Sequence, residues 1–315
     1  MLTEKLYLYE GRRDVTLTTY ILEDSPELLN GKKRPAVLVC PGGAYLNCSD
    51  REAEPVALRF AAMGYHAFVL RYSVYGRNEP GFNPFVFQSR PEVHPDTVHP
   101  APMRDIAKAM LTIRAKADEW LVDMDRVALC GFSAGAHNCA MYSVYWDAPI
   151  MREPFGCAAA DLRPAAAILA YTLSDYVFMK ETEDTMDELG KGLFGLSNLA
   201  FTGTPAPDDA TLDAISPARH VTKNTPPMFL WSTAGDRLVP VQHTLLMSTA
   251  LANAGVPFEV HVFEEGDHGL SLGDQSSATA KAQIDPNVSK WAGLAEAWLA
   301  KRFALDLPDE LNWGI

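Results

Sequence analysis

An α/β fold built on a mostly parallel sheet, with helices on both faces, is predicted by three features of this 315-residue chain. Short apolar runs alternate with longer stretches of helical spacing. Several of those runs are apolar throughout rather than at every second residue, as strands covered on both faces must be. Glycines and prolines mark the junctions between them. Apolar residues make up 48% of the chain and charged residues 21%, a balance that builds a large core and excludes global disorder.

The elements follow in order. Strand-like runs at 5–9 and 15–21 open the chain. Residues 35–40 are a continuous apolar run that stops at Pro41-Gly42-Gly43. A helix over 53–63 ends at Gly64, and a strand follows at 66–70. Then come a helix at 103–120, a strand at 126–130, a helix at 134–145 and strands at 165–170 and 228–232. A helix at 241–254, a strand at 258–263 and a terminal helix over 288–303 complete the series. Two segments break the rhythm. Residues 75–102 are rich in Pro, Gly and Asn and carry Phe82, Phe85 and Phe87. Residues 172–227 hold an acidic stretch, a Gly- and Phe-containing stretch and a proline-rich tail. Long irregular segments in a compact domain are usually lids or binding loops. They are expected to lie over the carboxyl ends of the strands as one lid on a single domain, 1–315.

Composition narrows the chemistry. A formal net charge of −13 argues against nucleic acid or an anionic membrane as partner, since both select positive patches. No run of eighteen apolar residues suggests a membrane span. The first thirteen residues are charged and lack the apolar core of a signal peptide, so the default location is cytoplasmic. The five cysteines, Cys40, Cys48, Cys130, Cys139 and Cys157, are odd in number and form no CxxC pair. They read as reduced, mostly buried thiols rather than a disulfide framework or a zinc site. Oligomeric state is not legible.

Gly131-Phe132-Ser133-Ala134-Gly135 directly follows the 126–130 strand and opens a helix-forming run. A sharp strand-to-helix turn lifts a serine hydroxyl clear of the sheet, and flanking glycines remove side chains that would collide. The helix N-terminus beyond it favours developing negative charge. Ser133 is therefore the candidate nucleophile; the plainer alternative is a glycine-rich turn with a capping serine. The Pro41-Gly42-Gly43-Ala44-Tyr45 loop follows the 35–40 strand. Gly43 and Ala44, with Ala134 across from them, are candidate backbone donors to an oxyanion.

A serine hydroxyl needs a base to take its proton and a third group to orient that base. Asp236, just past the 228–232 strand, and His268, in a glycine-flanked loop past the 258–263 strand, fall at the same sheet end as Ser133. Their order along the chain is Ser, Asp, His. Glu265 and Asp267 are rival acids, but are too near His268 in sequence to reach its Nδ1 easily. Among the other histidines, His66 and His261 sit in strands and His220 and His243 in or near helical runs. His137, one turn past Ser133, suits packing or hydrogen bonding, and His94 and His99 could at most touch substrate. Tyr45 and Tyr72 are candidates for the pocket wall and equally for core packing.

With these residues in view, the chain resembles the bacterial acetyl esterase and lipase branch of the α/β-hydrolases, near the feruloyl and acetyl-xylan carbohydrate esterases. The likeness rests on Cys40-Pro-Gly-Gly-Ala-Tyr45, on the stretches at 49–57, 64–72 and 100–105, and on the Ser133, Gly235-Asp236 and Asp267-His268-Gly269 motifs. It spans about 35–272, with the lid segments uncovered. It implies the α/β-hydrolase fold and a cofactor-free, metal-free esterase acting on a small-molecule ester, acylated sugars included. One departure is Ala44, where such proteins often carry a third glycine; its methyl narrows the acyl site but leaves the N–H in place. An amidase or peptidase of the same fold, and a non-catalytic binding protein that keeps the hydrolase shell, are the alternatives.

Overall fold

The computed structural model describes residues 1–82, 93–186 and 188–309. Phe85 and Phe87 of the first insertion lie outside the described residues. Eight strands form one sheet: β1 (Lys5–Tyr9), β2 (Arg12–Tyr20), β3 (Arg34–Cys40), β4 (His66–Arg71), β5 (Val122–Phe132), β6 (Ala166–Ala170), β7 (Met228–Thr233) and β8 (Phe258–Phe263). Their spatial order is β1-β2-β4-β3-β5-β6-β7-β8. β1 and β2 run antiparallel at one edge, and every pairing from β4 to β8 is parallel.

The helices are α1 (Glu54–Ala62), α2 (Ala101–Ala115), α3 (Ala134–Tyr145), α4 (Pro149–Arg152), α5 (Tyr176–Glu181), α6 (Glu188–Thr202), α7 (Asp209–Ala214), α8 (Gln242–Ala254) and α9 (Trp291–Ala300). Successive side chains of a strand face opposite ways, so each apolar strand feeds two cores. Leu38, Leu129, Leu169 and Leu230 pack with Met110 of α2, Met141 of α3 and Met247 of α8 on one face. Val39, Cys130, Ile168 and Trp231 pack with Phe60 of α1 and Trp291 and Trp298 of α9 on the other. Cover on both faces is why β3 and β6 read as unbroken apolar runs.

Some boundaries differ from the sequence reading. The helix expected to reach residue 120 stops at Ala115, because the chain turns through Leu121, whose φ is +52°. β5 starts at Val122, four residues early: Arg34 pairs with Val122 ahead of an irregularity in register. The largest difference is in 172–227, expected as irregular lid and found to hold α5, α6 and α7. α6 contains Gly190, Gly192 and Gly195, each disfavouring a helix by about 1 kcal/mol. Burial overrides that: Gly190, Phe194, Asn198 and Phe201 form a buried stripe at helical spacing.

The sheet's position also depends on a buried carboxylate. Asp105 of α2, 1% exposed, accepts the Tyr9 hydroxyl at 2.8 Å and the Ser73 N–H at 2.7 Å, tying α2 to the edge strand β1 and to the segment after β4. Asp105→Ala leaves the buried Ser73 N–H and the half-buried Tyr9 hydroxyl without this acceptor. The expected loss is about 2–4 kcal/mol of unfolding free energy in urea, against a smaller loss for Tyr9→Phe, which leaves the Ser73 bond intact.

Candidate active site

β3 is central, with β4 on one side and β5 on the other. Chain connectivity reverses direction there, opening a crevice at the strands' carboxyl ends where such sheets bind ligands. Ser133 stands at this crevice between β5 and α3 with φ +51° and ψ −120°. An L-residue held there carries about 1–3 kcal/mol of strain, so its surroundings must enforce the conformation. The Ser133 N–H donates to the Ala170 carbonyl at 3.0 Å, and its own carbonyl accepts the His137 N–H at 2.9 Å. The motif's glycines permit this packing. A Cβ on Gly131 would lie 2.4 Å from the Gly135 carbonyl oxygen, and one on Gly135 would lie 2.1 Å from that of Cys40.

The loops after β7 and β8 bring Asp236 and His268 to the serine. His268 Nδ1 is 2.7 Å from Asp236 Oδ2, and Nε2 is 2.8 Å from Ser133 Oγ. A carboxylate only accepts, so Nδ1 carries the proton and Nε2 is left to accept from the Ser133 hydroxyl. Asp236 is held in turn by the Leu238 and Val239 N–H groups, both at 2.9 Å from Oδ1. Burial works against a charged imidazole, but the charge and hydrogen bond of Asp236, with the charge of Glu52, outweigh it and raise the His268 pKa above its ordinary value. Glu265 and Asp267 are both exposed, and Nδ1 is taken by Asp236.

The loop after β3 carries Gly43, Ala44 and Tyr45 with φ of +134°, +54° and +59°. Three positive φ values in a row turn the loop sharply just past the end of β3. A Cβ on Gly43 would lie 2.1 Å from the Asn47 carbonyl oxygen, so glycine is required there. Among the described residues, no acceptor pairs with the N–H of Gly43, Ala44 or Ala134. These three donors remain free beside the Ser133 hydroxyl.

Two openings meet at Ser133. One is a cavity of about 50 Å³ lined by Leu173, Tyr176, Met179, Leu193, Phe194 and Val239 among others, with the Ala44 and Ala134 end of the site at its mouth. The other, about 200 Å³, is lined by Asn47, Ser49, Glu52, His268 and Gly269. Tyr45 and Tyr72 line neither. Tyr45 is buried under the loop, its hydroxyl 2.6 Å from His137 Nδ1 and its ring stacked on Phe201 at 4.1 Å. Tyr72 is fully buried and donates to the Pro41 carbonyl at 2.7 Å. Both brace the loop from the core. His137 lines the apolar cavity, but burial lowers its pKa to about 3 and its Nε2–H donates to the Ile215 carbonyl, so it serves packing.

The sequence reading missed the α5–α6 wall of the apolar cavity and the buried Glu52. The stripe 190, 194, 198, 201 was a legible signal for α6 beneath its glycines. Glu52 falls within the 49–57 stretch that carries the resemblance, but the local pattern assigns it no role. Among the described residues, no cluster of His, Cys, Asp or Glu could hold a metal ion, and no helix is long and apolar enough to cross a membrane.

Sheet order, elbow and the Ser133–His268–Asp236 geometry define an α/β-hydrolase. Residues 86–251, just over half of the chain, match the family described as BD-FAE, and the chain belongs to it. The matched span includes Ser133 and Asp236; His268 and the loop after β3 lie outside it. The chain is 30% identical over 278 residues to endo-1,4-beta-xylanase B of Butyrivibrio fibrisolvens, covering 87% of this chain and 37% of that protein. Among solved structures it resembles MGS-M1, an alpha/beta hydrolase enzyme from a Medee basin deep-sea metagenome library, at 31% identity and TM-score 0.69, covering 97% of this chain and 99% of that one. It also resembles an acetyl ester-xyloside bifunctional hydrolase from Caldicellulosiruptor lactoaceticus, at 28% identity and TM-score 0.69, covering 95% and 96%. The chain spans between about a third and a half of the length of the curated relatives it matches.

Gly135→Ala should separate the elbow from the loop after β3, because the added methyl meets backbone on both sides. The expected result is an unfolding free energy lower by about 2–4 kcal/mol and loss of Ser133 labelling by a fluorophosphonate. Unchanged stability and labelling would mean that the two backbones do not approach as described.

Proposed function

We propose that this chain is a serine carboxylesterase that removes short acyl groups, acetyl foremost, from sugars or oligosaccharides through an acyl-enzyme on Ser133. The observation that carries this reading is the hydrogen-bonded chain from Ser133 Oγ through His268 to Asp236, at 2.8 and 2.7 Å, opening on a small apolar cavity. His268 takes the serine proton as Oγ attacks the ester carbonyl, and Asp236 steadies the imidazolium that forms. The oxyanion is held by the N–H groups of Gly43, Ala44 and Ala134, whose worth is about 3–4 kcal/mol of barrier for a single donor in comparable sites. His268 next protonates the leaving alcohol, then activates the water that releases the acid. The steps need no cofactor or metal.

The two openings then take different halves of the ester. The leaving oxygen must receive its proton from His268, so the alcohol lies in the opening that His268 lines. The acyl group lies on the other side, in the cavity of about 50 Å³. A single water needs roughly 10–15 Å³ on that scale, so only a few atoms beyond the carbonyl fit. The larger opening has room for a bulkier alcohol, and Asn47, Ser49 and Glu52 are among the residues that line it. Names of relatives that act on acetyl esters and xylosides point the same way. In this reading 1–315 works as one catalytic domain, and 172–227 is a lid that walls the acyl side through α5 and α6. The five unpaired thiols suit a reducing cytoplasm.

Hydrolysis of p-nitrophenyl acetate, butyrate and octanoate tests the reading. Activity should fall steeply from acetate to octanoate, and Ser133→Ala should lower it by about a thousandfold or more. Equal activity in both proteins, or none in the wild type, would sink it. The pH profile follows from the raised His268 pKa. The base works only when neutral, so kcat/KM should fall as pH drops through that pKa, with its acid-side midpoint above the ordinary imidazole value of about 6.5.

A further inference from the structure

Three segments must keep their spacing for this site to work: the loop after β3, the segment after β6 and the histidine loop after β8. One buried carboxylate bonds the first two directly and reaches the third through Tyr171. Glu52, 4% exposed, lies in a short turn (Asp50–Glu52) just beyond the loop after β3. Its Oε2 accepts the Gly42 N–H at 2.7 Å, and its Oε1 accepts the Tyr171 hydroxyl at 2.6 Å. The Tyr171 oxygen accepts the Ser271 N–H at 3.1 Å, and its ring stands edge-on to the His268 imidazole with centroids 4.9 Å apart. Arg51 closes the circuit. Its guanidinium donates to the carbonyls of Gly269 at 3.0 Å and Ser277 at 2.7 Å, while Ser271 Oγ donates to the Arg51 carbonyl at 2.8 Å.

Two further observations separate Glu52 from an ordinary buried brace. Both of its donors are neutral groups, whereas a charge this buried normally sits against a counter-ion. A Cβ on Gly42 would lie 2.8 Å from Glu52 Oε2 and 2.9 Å from Ser133 Cβ, so carboxylate and nucleophile flank the same glycine. The charged and titratable groups around His268 are Asp236 from the loop after β7, Glu52 from beyond β3, Tyr171 from beyond β6 and Arg51, whose guanidinium is held at Gly269. Glu265 and Asp267 of its own loop are exposed. Of these, the Asp236 and Glu52 charges act on the imidazole in the same sense.

We propose that Glu52 is a positioning residue of the site: it ties the loop after β3 to the histidine loop through Gly42 and Tyr171, and its charge joins that of Asp236 in stabilising the imidazolium on His268. The inference rests on the esterase reading above. It adds a second carboxylate, which acts through space and through hydrogen bonds rather than by touching substrate.

The test uses the full chain with Glu52→Gln, Glu52→Asp and Tyr171→Phe, reading kcat, KM and the pH profile on p-nitrophenyl acetate. Glutamine keeps the shape and an acceptor but removes the charge. Its kcat should fall about tenfold with KM within about twofold, and the acid-side midpoint should move down by about half a pH unit or more. Aspartate keeps the charge one methylene short, so the midpoint should return towards wild type while kcat stays low. Tyr171→Phe should lower kcat with the midpoint nearly unmoved. If Glu52→Gln does not fold, the aspartate and phenylalanine variants decide: wild-type kcat in both overturns the proposal. A folded Glu52→Gln with wild-type kcat and midpoint overturns it equally. An inactive wild type, or one indifferent to Ser133→Ala, would instead mark failure of the esterase reading itself.

Discussion

A close approach of backbone to backbone, between Gly135 and the carbonyls of Cys40 and Pro41, sets the geometry on which the site depends. No side chain fits between the start of α3 and the end of β3. That contact fixes where the Ser133 turn sits relative to the loop carrying Gly43 and Ala44. It also presses Ser133 into a left-handed conformation that only the surrounding hydrogen bonds maintain. The strain is stored in a turn flanked by the buried end of β5, residues 127–132, and by the buried α3, so it cannot relax by moving either element alone.

From that contact the rest follows by topology. Parallel strands deliver their ensuing loops to one end of the sheet, and the change of direction around β3 leaves a crevice between those loops. The proposed nucleophile, base and acid come from three different loops, separated by 135 and 32 residues in the chain. Their hydrogen bonds hold because the strands beneath them are fixed in register, not because the loops are rigid by themselves. The Glu52, Tyr171 and Arg51 network supplies the cross-bracing that the strands do not.

The two insertions divide the work unequally among the described residues. The 172–227 segment folds into helices whose apolar stripe closes one side of the crevice. Closing that side leaves it about 50 Å³, against about 200 Å³ on the side holding His268. In the proposed reaction an asymmetric crevice of this kind sorts the two halves of an ester by size, which is where the proposed preference for small acyl groups originates.

How much of this was written locally can be judged residue by residue. The parallel sheet was legible because continuous apolar runs and helical spacing are local consequences of burial. Ser133, Asp236 and His268 were legible because each sits in a short glycine-marked motif just past a strand, in a fixed order. The same reasoning put forward Gly43, Ala44 and Ala134 as candidate donors. The helical state of 188–202 was obscured by glycines whose penalty only tertiary burial offsets. Tyr45 and Tyr72 could have faced pocket or core, and packing on Phe201 and Pro41 decided for the core. Glu52 was invisible for a plainer reason: a carboxylate's role depends on what surrounds it. Gly42 and Tyr171 reach it from 10 and 119 residues away. Sequence alone determined the fold class and the choice of three candidate reactive side chains, which lie within hydrogen-bond distance of one another. Tertiary structure alone decided how the crevice is walled and which buried charge supports it, because those depend on contacts between segments that carry no local trace of one another.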